Sequence, residues 1–308
     1  MNVFSFDSTG PYIDASRCYG GFVVYGWTLD APVTIPLLIV ASLYAVGAGR
    51  LWHRAGLFHG ASATHAVCFL IGWLTLVFAL ISPLHAASRH VFTAHMIEHE
   101  AVMVIAAPFL VLSRPLGTFL WAFPKKIRRY VGAGTKVSWW SGAWRFVTMP
   151  LVATILHAFA IWLWHVPILF EAALSNEMLH WLQHATFLFS ALIFWWALLA
   201  APNARRNYGQ AAGDFFATAG HTSLLGILLF LSPQTWYSSQ TAGAWGMTAI
   251  EDQQLAGLLM WVPSGLIYAG AALACLSLWI AGTTDPEAQS VLLRERYTGG
   301  LQSVTSKN

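Results

Sequence analysis

Charge is scarce in this chain: 9% of its 308 residues are Asp, Glu, Lys or Arg, against 57% hydrophobic residues and a mean hydropathy of +0.58. Soluble domains carry about 25% charged residues, so a water-facing surface cannot be assembled from this composition. Cysteine is scarce too. Cys18, Cys68 and Cys275 lie far apart and form no CxxC pair, which excludes a disulfide framework and a thiolate metal clip. Any metal must therefore be held by histidine, methionine, carboxylate or amide. Nucleotide-binding loops, nucleophile–base pairs and phosphorylation-type aspartate motifs are also missing, which leaves ATP-driven pumping without support.

What the chain has instead is apolar length. A spanning helix needs about 20 largely apolar residues, and seven stretches approach that: Val33 to Trp52, Ala66 to His85, Val91 to Leu112, Phe146 to His165, Leu179 to Ala200, Phe215 to Trp236 and Gln253 to Ile280. The expected fold is an all-α integral membrane protein, a seven-transmembrane-helix bundle forming one polytopic domain over 1–308. Residues 1–32 read as an external tail, 33–280 as the bundle and 281–308 as a cytoplasmic tail. The first thirty residues lack a basic start and a cleavable apolar run and contain Asp7, Asp14 and Asp30, so a signal peptide is not expected.

Orientation follows from the basic residues, because cytoplasmic loops retain Lys and Arg. With the N-terminus outside and the C-terminus cytoplasmic, the inner side receives Arg50, Arg54, Arg114, Lys125, Lys126, Arg128, Arg129, Lys136, Arg145, Arg205, Arg206, Arg294, Arg296 and Lys307. Arg17 and Arg89 fall outside, where the loops carry Glu171, Glu177, Glu251 and Asp252. The inner loop from Ser113 to Arg145 joins a basic run to Trp121, Trp139, Trp140 and Trp144, which suits a segment lying on an anionic lipid surface rather than on nucleic acid.

The histidines then fall at distinct depths. His95 and His99 occupy the first turns of the third span, and His180 and His184 those of the fifth, both entering from outside. Each pair has i,i+4 spacing, so both rings leave one helix face. Both segments, HMIEH (95–99) and HWLQH (180–184), read H-x-x-[E/Q]-H. Met96, His99 and Met103 lie within about 100° of His95 on a helical wheel, and imidazole with thioether suits copper. His165 closes the fourth span at the same level. Taken alone, His85, His90 and His165 read as hydrogen-bonded interface residues. His53, His59 and His65 belong to the inner side, whereas His157 and His221 lie deeper, where polar groups are costly.

The segments HMIEH (95–99), LWHVPILFEAAL (163–174), LHWLQHATFLFSALIFWW (179–196) and DQQLAGLLMWVPSGLIYAGAAL (252–273) resemble the Caa3/CtaG family of membrane proteins implicated in assembly of copper-containing cytochrome c oxidase. The resemblance implies a factor of the bacterial cytoplasmic membrane, a metallochaperone rather than a catalyst, whose partners are oxidase subunits or other copper chaperones and whose metal is copper. It points to His95, Met96, His99, His165, His180 and His184, with Asp252 and Gln253. Met103 joins them as a thioether, while Glu98, Gln183, Asp252 and Gln253 are expected to orient the rings by hydrogen bonds. Where a Gln is expected in the first motif, this chain has Glu98.

Two rival chemistries use the same residues. HMIEH also fits the H-x-x-E-H pattern of an intramembrane zinc metallopeptidase, with Glu98 as base. Against it, Gln183 replaces the base in the second pair, and four histidines overfill a site that needs an open position. A b-type haem protein holding iron between histidines of two helices is the other. Bulky Met96, Trp181 and Phe187 crowd the faces where a porphyrin would lie.

Overall fold

The computed structural model describes the backbone of residues 17–19, 22–24, 26–134, 138–201, 207–237 and 244–284. The outer parts of both predicted tails, 1–16 and 285–308, lie outside the described residues, as do Lys136, Arg205 and Arg206. A small antiparallel hairpin, β1 (Arg17–Tyr19) with β2 (Phe22–Val24), departs from the purely α-helical expectation. The rest is helical: α1 (Ala31–Ala55), α2 (Ala63–Ile81), α3 (Pro83–Ser88), α4 (Phe92–Glu100), α5 (Ala107–Leu112), α6 (Pro115–Trp121), α7 (Lys125–Gly134), α8 (Ser138–Val147), α9 (Pro150–Trp164), α10 (Pro167–Ser175), α11 (Glu177–Trp195), α12 (Tyr208–Leu231) and α13 (Ala249–Thr284). Wide π-turns, Ala101–Ala106 and Trp196–Ala200, continue α4 into α5 and extend α11.

Among the described residues, six helical stretches are long and apolar enough to cross a membrane: α1, α2, Phe92–Leu112, Glu177–Ala200, α12 and Ala249–Gly282. A seventh exists only if α8 and α9 count as one span, across a 69° bend. Proline explains most differences from the expected boundaries. Pro150 has no N–H to offer a preceding turn and therefore starts α9 afresh. This leaves 15 residues, about 22 Å of helix, where a straight span from Phe146 was expected. Pro83 acts in the same way. The Ser82 hydroxyl accepts from the Leu84 N–H at 3.1 Å, α2 stops at Ile81, and His85 moves onto the separate turn α3. Ser232 and Pro233 end α12 at Leu231, so the sixth span runs Tyr208 to Leu231 rather than Phe215 to Trp236.

The outward faces are those of a lipid-exposed bundle. Leu38, Leu74, Phe78, Phe159, Phe189, Phe216, Leu266 and Leu273 are all exposed, whereas Phe187, Phe194, Phe215 and Tyr268 are fully buried at the centre. Small residues let the helices approach closely. A Cβ on Gly257 would stand 2.6 Å from the Gly226 carbonyl oxygen, so α12 and α13 touch through their backbones there.

The π-turn after Glu100 has a local cause. Pro108 cannot donate to the Val104 carbonyl, so the helix widens ahead of it. The indole N–H of Trp195 on α11 donates to the Met103 carbonyl at 2.9 Å and fixes the two elements against each other. Both histidine-bearing helices are thereby held in register.

Candidate metal centre

The starts of α4 and α11 lie side by side at one end of the bundle, so their histidine pairs meet. His95 and His180 stack with ring centroids 5.7 Å apart, His99 and His184 pack edge-on at 5.0 Å, and His95 and His184 are 6.3 Å apart. Within α11 the Nε2 atoms of His180 and His184 are 3.0 Å apart. All four rings are buried.

A fifth ring completes the cluster. His85, which reads in sequence as an interface residue, is brought over the same site by α3. Its Nδ1 lies 2.6 Å from Glu98 Oε1, and its ring is 5.5 Å from His180 and 6.0 Å from His184. Glu98 is fully buried, and its Oε1 is also 3.4 Å from His184 Nε2. Glu98 therefore sits among the imidazoles rather than behind them. Ligand atoms from His85, Glu98 and His184 all fall within 4.8 Å of one another, close to the span of about 3–4 Å set by metal bonds of about 2 Å.

The electrostatics of this corner are those of a paired carboxylate. Burial disfavours a charged His85, but the adjacent Glu98 carboxylate outweighs it and raises the pKa of that imidazole. The pairing stabilises the fold below the unfolded pKa of His85 and is lost as pH rises through the folded one.

The other expected residues divide by what they touch. Asp252 reaches from α13 to the start of α4, where its carboxylate accepts from the Phe92 and Thr93 N–H groups at 2.7 and 2.8 Å. Gln253 accepts from the Trp236 N–H at 2.6 Å and donates to the Leu229 and Gln234 carbonyls at 3.2 and 3.1 Å. Asp252 thus caps the helix that carries His95, Glu98 and His99, and Gln253 fastens the α12–α13 connection.

His165 donates from Nδ1 to the Ile161 carbonyl, 2.6 Å away, and its own carbonyl accepts from the Tyr237 hydroxyl at 3.0 Å. Phe187 stands between His165 and the cluster, 6.5 Å from His165 and 4.6 Å from His99. Met96 and Met103 pack in the hydrophobic core with Phe92, Phe170 and Phe187. Gln183 is buried beside the cluster on α11, its Oε1 without a protein partner. His53 and His59 belong to the opposite end of α1 and the loop after it. On the near side, a cavity of about 100 Å³ lined by Arg89, Ala173, Leu174, Ser175, Glu177 and His180 leads toward the cluster.

Replacing Asp252 with Ala leaves two buried N–H groups at the start of α4 without acceptors. Losing the cap costs about 1 kcal/mol, and each orphaned donor adds about 1–3 kcal/mol. Thermal unfolding of the purified variant should show a clear drop. Retention of the wild-type melting temperature would remove Asp252 from this role.

The comparisons with known proteins agree with the sequence resemblance. The Caa3_CtaG family model, described as cytochrome c oxidase caa3 assembly factor, matches residues 42–281. An uncharacterised protein of Mycobacterium bovis and one of Mycobacterium tuberculosis are each 26% identical over 283 residues, covering 86% of this chain and 42% of theirs. One of Mycobacterium leprae is 24% identical over 266 residues, covering 82% of this chain and 39% of its own. The chain thus spans about 42% of the length of the curated relatives it matches first. No solved structure matches.

Proposed function

Because the chain belongs to the cytochrome c oxidase caa3 assembly factor family, we propose that the cluster of His85, His95, Glu98, His99, His180 and His184 binds copper as cargo and passes it on during oxidase assembly. The observation that carries this reading is a set of buried polar atoms without protein partners. They are His85 Nε2, both ring nitrogens of His95 and His99, His184 Nδ1 and Glu98 Oε2. A buried polar group without a partner costs free energy, and several on facing helices would be a heavy burden for packing alone. A bound cation would supply the partner for one nitrogen of each ring that ligates it.

The donor set fits that cargo. Imidazole suits copper, and the Glu98 carboxylate brings a negative charge to a cation held away from water. Only deprotonated nitrogens ligate, so binding would release the proton shared by His85 and Glu98. Close packing of His95 on His180 and the edge-on contact of His99 with His184 leave no slot for a porphyrin between these helices. The contacts of Glu98 Oε1 with His85 and His184, at 2.6 and 3.4 Å, support a ligand role over that of a free peptidase base. With the basic ends facing inward, the site lies at the outer leaflet of the bacterial cytoplasmic membrane. There it would meet oxidase subunits or other copper chaperones.

Metal analysis of purified protein tests this reading. Wild type should carry copper in near-stoichiometric amount, an H53A/H59A variant the same, and an H95A/H99A variant almost none. Equal copper in the two double variants would overturn the assignment.

A further inference from the structure

We propose a second binding site, for an anion bearing two phosphates, at the end of the bundle opposite the histidines, and we assign its occupant as the headgroup of a two-phosphate lipid. The site is a cavity of about 400 Å³ lined by Arg54, Trp121, Lys125, Arg128 and Arg129. Arg54 comes from the last turn of α1, Trp121 from the end of α6, and the other three from the first turns of α7. Two guanidiniums share one indole: Arg128 lies 4.2 Å and Arg54 5.6 Å from the Trp121 ring centroid. Arg50 fastens the corner by donating to the Ala122 carbonyl at 2.5 Å.

Among the described residues, four cations converge here without a counter-charge. The sequence has no Asp or Glu between residues 31 and 97 or between 101 and 170. Among the described residues none of the four cations forms an ion pair, and Arg128 Nε is buried with no hydrogen-bond partner. Like charges held together in this way repel until an anion joins them, and guanidinium forks match phosphate oxygens. One phosphate would leave most of the repulsion standing, whereas two phosphates in one headgroup offset more of it.

The surroundings favour a lipid over a soluble anion. On α7 the apolar Ile127 and Val131 are exposed four residues apart, and Trp139, Trp140 and Trp144 are exposed along α8. Helices of this kind rest in the headgroup region of a bilayer. Basic pockets beside spanning helices on the inner side bind lipid headgroups.

Native mass spectrometry of the full chain in detergent, with cardiolipin, phosphatidylglycerol or phosphatidylcholine added, tests the site. Cardiolipin should be retained most tightly, and R54Q/R128Q should weaken it about thirtyfold, at about fivefold for each cation lost. R89Q, at the histidine end of the bundle and outside the cavity, should match wild type. Equal retention by R54Q/R128Q and wild type, or equal retention of phosphatidylcholine and cardiolipin, overturns the proposal. Inorganic pyrophosphate is added to lipid-free protein in parallel: binding as tight as that of cardiolipin would assign the site to a soluble anion and overturn the lipid. Should the double variant not fold, salt titration of wild type decides. Cardiolipin must dissociate as ionic strength rises, and indifference to salt overturns the site.

Discussion

Glu98→Gln is expected to lower copper affinity at least about a hundredfold, since loss of a mere supporting contact already costs 10–100-fold, and to cost the metal-free protein the stability of the His85–Glu98 pair. The two effects have different origins. Copper brings positive charge to a buried site with one carboxylate, whose Oε1 is 2.6 Å from His85 and 3.4 Å from His184. Neutralising that carboxylate leaves the cation uncompensated away from water. In the metal-free state the same substitution removes one partner of the buried His85–Glu98 pair, and breaking a buried pair from one side is destabilising. Gln keeps the shape and one acceptor. Competition with a copper chelator measures the first effect and thermal unfolding of the metal-free protein the second. Unchanged copper affinity would remove Glu98 from the site, and an unchanged melting temperature would remove its stabilising pairing with His85.

A strain lacking this protein is expected to make its oxidase subunits but to lose most copper-dependent oxidase activity when copper is limiting. Excess copper should restore part of it, because uncatalysed loading rises with free metal. Wild-type protein should restore it fully and Glu98→Gln poorly, even though both reach the membrane in equal amount. Copper content of the isolated oxidase is the deciding measurement. A fully metallated oxidase in the deletion strain under copper limitation would contradict the assembly role of the site.

Much of this was legible in the sequence because it depends on local spacing. The i,i+4 pairs His95/His99 and His180/His184 place rings on single helix faces, and the apolar runs mark the crossing helices. What escaped depends on the path of the backbone between helices. Pro83 was a visible signal, but it takes tertiary structure to show that the new turn carries His85 back over Glu98 rather than away into solvent. In sequence Glu98 reads as a residue that orients the rings; its central place comes from His85, thirteen residues earlier on another element. Asp252 meets Phe92 and Thr93 across about 160 residues of chain, a separation no spacing argument bridges. The bend at Pro150 was visible as a proline, whereas the apolar run around it disguised the break.

The central claim is that one copper ion binds between α3, α4 and α11. Anomalous diffraction at the copper edge from crystals of the copper-loaded protein tests it most directly. The account predicts a peak about 2 Å from Glu98 Oε1 and from ring nitrogens of His85 and His184. Copper found instead at Met103 or at His53 and His59, with the histidine cluster intact and empty of metal, would contradict it.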